Sequence, residues 1–228
     1  CGAMLAISVN FQQFGISAYP AGAAAEARSG FITALYVVFV PLLSFFFGKK
    51  VSPVIWASVA VAVVGFYMLC LSGGISEIYT ADILVFICAF CFAGQIISVD
   101  KFVGLTGGVK LSVMQFTVAG ALSAVFAVIF ERPTMENIIA AAPQILYLGI
   151  VSSGVGYTLQ IVGQKYAEPS VASLSMSLES VFAALGGWLI SGNILTGREF
   201  TGCALVFAAI IVAQIPEMAG SRKKANSP

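Results

Sequence analysis

The 228-residue chain is too apolar and too poor in charge to fold as a soluble globule. Hydrophobic residues make up 59% of it, charged residues 9%, and the mean hydropathy is +0.99. Because soluble domains are about 45–50% apolar and ~25% charged, the composition predicts an all-α integral membrane protein. The net charge of +1 gives no reason to expect a nucleic-acid partner.

Eight apolar runs follow one another along the chain, and each is predicted to form a transmembrane helix. Each run is about 16–20 residues long, which at about 1.5 Å per residue is enough to cross ~30 Å of hydrocarbon. A β-barrel is not expected, because the runs do not alternate apolar and polar residues with period two. The runs are Gly2–Ala18, Phe31–Phe47, Val54–Leu71, Ile83–Val99, Leu111–Phe130, Ile145–Gly163, Val171–Ile190 and Phe200–Ile215.

Two helical hairpins in these runs carry the same pattern. Gln12 in the first run and Gln160 in the sixth lie 148 residues apart, and each is followed three residues later by glycine. The hairpins end at Gly48 and Gly192, which lie 144 residues apart. A repeated hairpin with a polar residue at the same place in each copy is typical of transporters built from inverted repeats.

The repeat also predicts the domain organisation. Helices six to eight match helices one to three, whereas helices four and five have no counterpart. The chain is therefore predicted to be an N-terminally truncated ten-helix protein of two inverted five-helix repeats (5+5), of which eight helices are present. On this interpretation residues 1–73 are the last three helices of the first repeat, residues 81–216 are the complete second repeat, and residues 217–228 form a basic cytoplasmic tail. The missing initial methionine agrees with a truncation.

Lysine and arginine residues divide unequally between alternate loops, and this predicts the orientation. If the first helix starts in the cytoplasm, the inside carries Lys49, Lys50, Lys101, Lys110, Lys165, Arg222, Lys223 and Lys224, and the outside carries Arg28, Arg132 and Arg198. An excess of eight to three places both ends of this chain in the cytoplasm by the positive-inside rule.

Two short motifs resemble those of the drug/metabolite transporter superfamily, EamA type. They are the run YVVFVPLL beginning at Tyr36 and the run SLESVFAA beginning at Ser177, and the two Gln-x-x-Gly sites add to the likeness. The resemblance implies a multi-pass protein of a bacterial cytoplasmic (inner) membrane. It also implies a central cavity and secondary transport of a small metabolite, most often outward, by alternating access. In the family a proline usually stands where this chain has Ser180, and Gly-Glu usually closes the hairpin helices.

Glu179 is the acidic residue that lies well inside an apolar run. A carboxylate at that depth is costly unless it is protonated, paired or wetted, so it is a functional candidate and the residue expected to carry proton coupling. The alternative is a neutral carboxyl hydrogen-bonded to a neighbouring helix.

Amide and aromatic side chains supply the other candidates for a substrate-binding cavity. Glutamine can both donate and accept hydrogen bonds to a polar or zwitterionic solute, although it also serves as a polar contact between helices. Aromatic rings could stack on a substrate, but they equally serve as packing residues or interface anchors. The candidates are Gln12, Gln160, Gln95, Gln115, Tyr36 and Tyr157.

The predicted function is that of a secondary exporter of a small polar metabolite such as an amino acid. An enzyme is not expected: the chain has no histidine, and Cys88 and Cys91 have no further ligands to complete a metal site. No cofactor is expected either, and ATP drive would need a phosphate-binding loop that is not present. Multidrug or cation efflux, sugar-type uptake and a non-transporting membrane scaffold remain alternatives, and a homodimer is left open.

Overall fold

A computed structural model describes residues 1–20, 25–70, 78–131, 134–182 and 196–225, and all regular structure within these ranges is helical. The α-helices are α1 (Gly2–Ser17), α2 (Ala25–Ala34), α3 (Tyr36–Phe46), α4 (Pro53–Cys70), α5 (Thr80–Thr106), α6 (Gly108–Phe126), α7 (Met135–Ala140), α8 (Ala142–Leu146), α9 (Thr158–Gln164), α10 (Pro169–Met176) and α11 (Gly197–Ala225). Two π-helical segments, Ala127–Glu131 and Tyr147–Tyr157, continue α6 and join α8 to α9.

Six helical stretches in the described part of the chain are long and apolar enough to cross a membrane. They are Ala27–Phe46, Pro53–Cys70, Thr80–Thr106, Gly108–Glu131, Ala142–Gln164 and Gly197–Ile215. These six correspond to six of the eight predicted spans. The first predicted span is the 16-residue helix α1, about 24 Å long at ~1.5 Å per residue. The seventh extends into residues 183–190, outside the described residues.

The second predicted span begins earlier than expected and is interrupted. The sequence pattern predicts one run, Phe31–Phe47, but the helix already starts at Ala25, and a turn at Leu35 separates α2 from α3. At this turn the Leu35 N–H bonds to the Ile32 carbonyl at 3.1 Å, and the Val38 N–H bonds to the Leu35 carbonyl at 2.9 Å. Such i→i+3 bonds tighten the helix locally.

A similar interruption occurs at Ser177, where α10 ends and helical residues 178–182 follow. The Ser177 hydroxyl donates to the carbonyl of Ser173 at 2.9 Å, a local side-chain bond that bends helices. The interruptions at Leu35 and Ser177 lie 142 residues apart, within two residues of the spacing between Gly48 and Gly192. The interruption at Ser177 forms without a nearby proline. At the position where the family usually has proline, this chain has Ser180.

Helices α4 and α11 pack against each other at backbone distance. A Cβ atom added to Gly65 would lie 2.9 Å from the Gly202 carbonyl oxygen, and one added to Gly202 would lie 2.7 Å from the Gly65 carbonyl oxygen. Small residues allow such close approach between membrane helices. The largest buried apolar cluster, which contains Ile55, Phe66 and Val206, lies at this junction and extends to α3 and α10.

Helix α5 is the central element that positions the candidate site. It packs against α1, α2 and α3. It ends at Gly107, whose φ of +82° is a conformation that favours glycine, and α6 starts immediately afterwards and packs against α1. Helices α1, α2 and α3 thereby all pack against one 27-residue helix.

Candidate functional site

A cavity of about 230 Å³ lies where α1, α2, α3, α5 and the second hairpin meet. Six of the seven residues predicted from the sequence line it: Gln12, Gln95, Gln160, Glu179, Tyr36 and Tyr157. The other lining residues are Gly30, Thr33, Ala34, Phe92, Ile96 and Ser180. The volume corresponds to seven or eight water molecules at ~30 Å³ each.

The seventh predicted residue, Gln115, lies behind the cavity and does not line it. Its side-chain oxygen accepts a hydrogen bond of 3.0 Å from Gln95 Nε2, and the two residues are 2% and 1% exposed. The bond fixes the position of the Gln95 amide at the cavity wall. In this arrangement Gln115 Nε2 makes no hydrogen bond within the described residues.

Gln12 and Gln160 enter the cavity from the two predicted repeats. Gln12 Nε2 donates to Thr33 Oγ1 at 3.4 Å, which links α1 to α2. Both amides are half-buried, so each keeps hydrogen-bonding capacity for a bound molecule. Thr33 was not predicted from the sequence, although it lies 144 residues before Ser177, at the repeat spacing.

The two tyrosines reach the cavity from opposite halves of the chain. Tyr36 follows the interruption at Leu35, and its hydroxyl lies 3.5 Å from Ser177 Oγ, beside the second interruption. Tyr157 packs edge-on against Phe116, with ring centroids 5.9 Å apart and an angle of 86° between the rings. Phe92, on α5, adds a third ring that the sequence did not single out.

Glu179 lies two residues beyond the interruption at Ser177 and lines the cavity. The residue is exposed. Within the described residues Glu179 makes no ion pair.

A buried ion pair lies at the start of α5. Arg28 Nη2 is 2.6 Å from Asp82 Oδ2, and the two side chains are 9% and 11% exposed. Asp82 also accepts bonds from Arg28 Nε at 3.3 Å, from the Tyr19 hydroxyl at 2.5 Å and from the Tyr79 backbone N–H at 2.8 Å. Burial, and then the Asp82 carboxylate, raise the pKa of the Tyr19 phenol. This network joins the end of α1 to the starts of α2 and α5.

A second ion pair lies near the other end of α5 and is more exposed. Lys49 Nζ is 2.5 Å from Asp100 Oδ2, with side-chain exposures of 49% and 23%. Both residues line a separate cavity of about 450 Å³, together with Lys50, Lys165 and Glu168. The sequence alone does not pair Asp82 with Arg28 or Asp100 with Lys49, because the partners lie 54 and 51 residues apart in the chain.

No group of three metal-ligating side chains occurs among the residues that the structure describes. The Cys88 and Cys91 thiols are free. The described residues that line the central cavity offer hydrogen bonding by amides and hydroxyls, aromatic contact and one carboxyl group.

Comparisons with known proteins point to one family. The model of the EamA-like transporter family matches residues 79–214. An uncharacterised transporter of Archaeoglobus fulgidus is 32% identical over 189 residues, which is 82% of this chain and 60% of that protein. The chain thus spans about three fifths of the length of this relative. One solved crystal structure has a TM-score of 0.74 at 18% identity, covering 94% of this chain and 75% of that one, a similarity of fold.

Proposed function

Because the chain belongs to the EamA-like transporter family, and is accordingly a multi-pass membrane protein, we propose that it exports a small polar metabolite, such as an amino acid or a related compound. Transport is secondary and proceeds by alternating access through the 230 Å³ cavity. The observation that carries the proposal is that six candidate residues, far apart in the sequence, line this one cavity. A substrate-sized space with a few convergent polar groups is typical of a small-molecule site.

The positions of the cavity residues support an inverted 5+5 repeat. Gln12 and Gln160 are related by the 148-residue spacing, and Tyr36 and Ser180 by the 144-residue spacing, and both pairs line the cavity. Residues related by an inverted repeat meet near the pseudo-twofold axis, which is where such transporters bind their substrates.

The contact between α4 and α11 supports the same repeat. These helices are the last of the first repeat and the last of the second, and Gly65 meets Gly202 between them. The 144-residue spacing relates Gly202 to Ser58 and Gly65 to Ala209, and both of these partners are buried as well. We propose that two further helices complete the first repeat in the whole protein and cover the Tyr147–Tyr157 segment, which has no buried residues here.

The distribution of basic residues supports an orientation in a bacterial cytoplasmic membrane with both ends of the chain in the cytoplasm. Lys49, Lys50 and Lys165, all predicted to lie inside, line one cavity, whereas Arg28 lies at the opposite end of α5. Single cysteines in a background without native cysteines test this topology. Those replacing Lys50 and Lys110 should react with an impermeant reagent only from the cytoplasmic side, and those replacing Asn137 and Thr196 only from outside. Labelling of Asn137→Cys from the cytoplasm would contradict the orientation.

Glu179 is the residue proposed to couple transport to protons. It is the carboxyl group among the described lining residues, and a carboxyl group inside a transporter can take up and release a proton as access to the cavity changes sides. Glu179→Gln keeps the size and most hydrogen bonding but cannot titrate.

Vesicles containing the longest natural form of the protein test transport and coupling together. With a pH gradient imposed, we expect the wild type to move a labelled amino acid and Glu179→Gln to lose the gradient-driven component. Glu168→Gln, the same change in the other cavity, is the matched control and should transport normally. Equal pH-dependent rates for wild type and Glu179→Gln would make Glu179 a structural residue, and the absence of any solute movement by the wild type would favour a scaffold.

A further inference from the structure

The charges around the central cavity are unbalanced. Its described lining contains the Glu179 carboxyl group and no lysine or arginine. Along the chain, the cations nearest to lining residues are Arg28, which pairs with Asp82, Lys101, which lies over the Phe102 ring, and Lys165, which lines the separate cavity of about 450 Å³. The segment 183–195, which follows Glu179 in sequence and lies outside the described residues, contains no charged residue. Among the residues that the structure describes, a bound molecule thus meets the Glu179 carboxyl group and no lysine or arginine.

This imbalance selects between classes of solute. An anion such as a carboxylate or phosphate would face the Glu179 carboxylate at short range with no cation to offset the repulsion, and like-charge contact is an effective way to exclude a ligand. A protonated amine would instead supply the missing positive charge and up to three hydrogen-bond donors.

The aromatic residues of the lining favour the same class. Tyr36, Tyr157 and Phe92 all border the cavity, and the faces of aromatic rings attract ammonium groups within about 6 Å of their centroids. The Tyr157 ring is held in place by its edge-on contact with Phe116. Gln12, Gln95 and Gln160 provide carbonyl oxygens that can accept further N–H bonds.

We propose that the transported solute carries a protonated amine that binds beside Glu179 and that the solute has no net negative charge. This inference rests on the proposed transport function, since it uses the same cavity. It narrows the substrate class to amines and to amino compounds whose ammonium group is not outweighed by acidic groups.

Three small molecules of nearly equal size test the proposal by direct binding to the purified protein in detergent. They are 2-phenylethylamine, which is a cation, 2-phenylethanol, which is neutral, and phenylacetate, which is an anion. Equilibrium dialysis should show that the amine binds about tenfold or more tightly than the alcohol. Phenylacetate should not bind measurably.

Variants then assign the preference to Glu179. Glu179→Gln should lower the affinity for the amine to the affinity that the same variant has for the alcohol. Glu179→Asp, which retains the charge, should keep the order of the three affinities, and Glu168→Gln should behave as wild type. Gel filtration of each variant establishes that it is folded. The proposal is overturned if phenylacetate binds as tightly as the amine, if no amine binding occurs at millimolar concentration, or if Glu179→Gln leaves the amine-to-alcohol ratio unchanged.

The same reagents separate this inference from the transport function. Amine-selective, Glu179-dependent binding without solute movement in vesicles would support the charge preference and refute transport. Movement of solutes irrespective of charge would support transport and refute the amine preference.

Discussion

The two ion pairs of α5 have the same chemistry but different surroundings. Asp82 and Asp100 lie 18 residues apart on one helix, about 27 Å at ~1.5 Å per residue. The first pairs with Arg28 in a buried network of four hydrogen bonds. The second pairs with Lys49 beside an open cavity, with the lysine 49% exposed.

Because the two pairs differ in burial but hardly in distance, their contributions to stability are expected to differ. The N–O distances are 2.6 and 2.5 Å, so geometry alone would rank the pairs as equal. Exposed pairs contribute about 0–1 kcal/mol, whereas removing one partner of a buried pair costs about 3–5 kcal/mol because the other charge stays desolvated. The pair at Asp82 is therefore expected to hold α1, α2 and α5 together.

The largest predicted effect is that of Asp82→Ala. We expect it to lower the free energy of unfolding by about 3–5 kcal/mol, since four hydrogen bonds to the carboxylate are lost from a buried site. Denaturant titration in mixed micelles measures the change. The double variant Arg28→Met/Asp82→Leu should recover most of the loss, because apolar replacements of a buried pair are often tolerated. If Asp82→Ala and Asp100→Ala cost the same, burial does not distinguish the two ends of α5.

An intermediate effect is expected for Tyr19→Phe. The substitution removes one hydrogen bond to a charged acceptor and leaves the ring in place, which should cost about 1.5–3 kcal/mol. The raised pKa of the phenol adds a pH test. The native state holds the phenolic proton more tightly than the unfolded chain does. This contribution to stability is therefore present below pH ~10 and is lost as the pH rises toward the native pKa.

Comparison of Tyr19→Phe with wild type at rising alkaline pH isolates that contribution from the titration of lysines, which both proteins share. The difference in unfolding free energy between the two should shrink above pH ~10. A difference that stays constant between neutral and alkaline pH would mean that the Tyr19 hydroxyl does not bond to Asp82 in the folded protein.

The smallest effect is predicted for Lys49→Ala and Asp100→Ala. Each should change the free energy of unfolding by about 0–1 kcal/mol, and the change should shrink further as salt is added. The same titration in low and high salt checks this expectation. A loss of several kcal/mol for Lys49→Ala would show that the exposed pair carries more than a surface contact.

Repeat-related helices illustrate how much of the structure depends on neighbours. Helix α1, which contains Gln12, buries residues such as Leu5 and Ser8 against α5 and α6. The segment Tyr147–Tyr157, which leads to Gln160, has no buried residue. Both segments consist mostly of apolar and small residues, so composition alone does not account for the difference in burial.

The sequence by itself was sufficient for the membrane class, the family resemblance and the approximate positions of six apolar spans, and it named six of the twelve described residues that line the cavity. These features are local or additive: apolar content is summed over about 20 residues, and the repeat is a matter of spacing along the chain. Polar residues in apolar helices are also few, so those that turn inward are easily singled out.

Only the tertiary structure decided that Gln115 lies behind Gln95, that Arg28 reaches Asp82, and that Glu179 is exposed to the cavity. The membrane helices are apolar on all sides, so no amphipathic stripe indicates which face turns inward. The partners of Gln115 and Arg28 lie 20 or more residues away in sequence, and the cavity beside Glu179 is lined by residues of several other helices. Such contacts arise from the way neighbouring helices pack, which the apolar pattern of one helix does not encode.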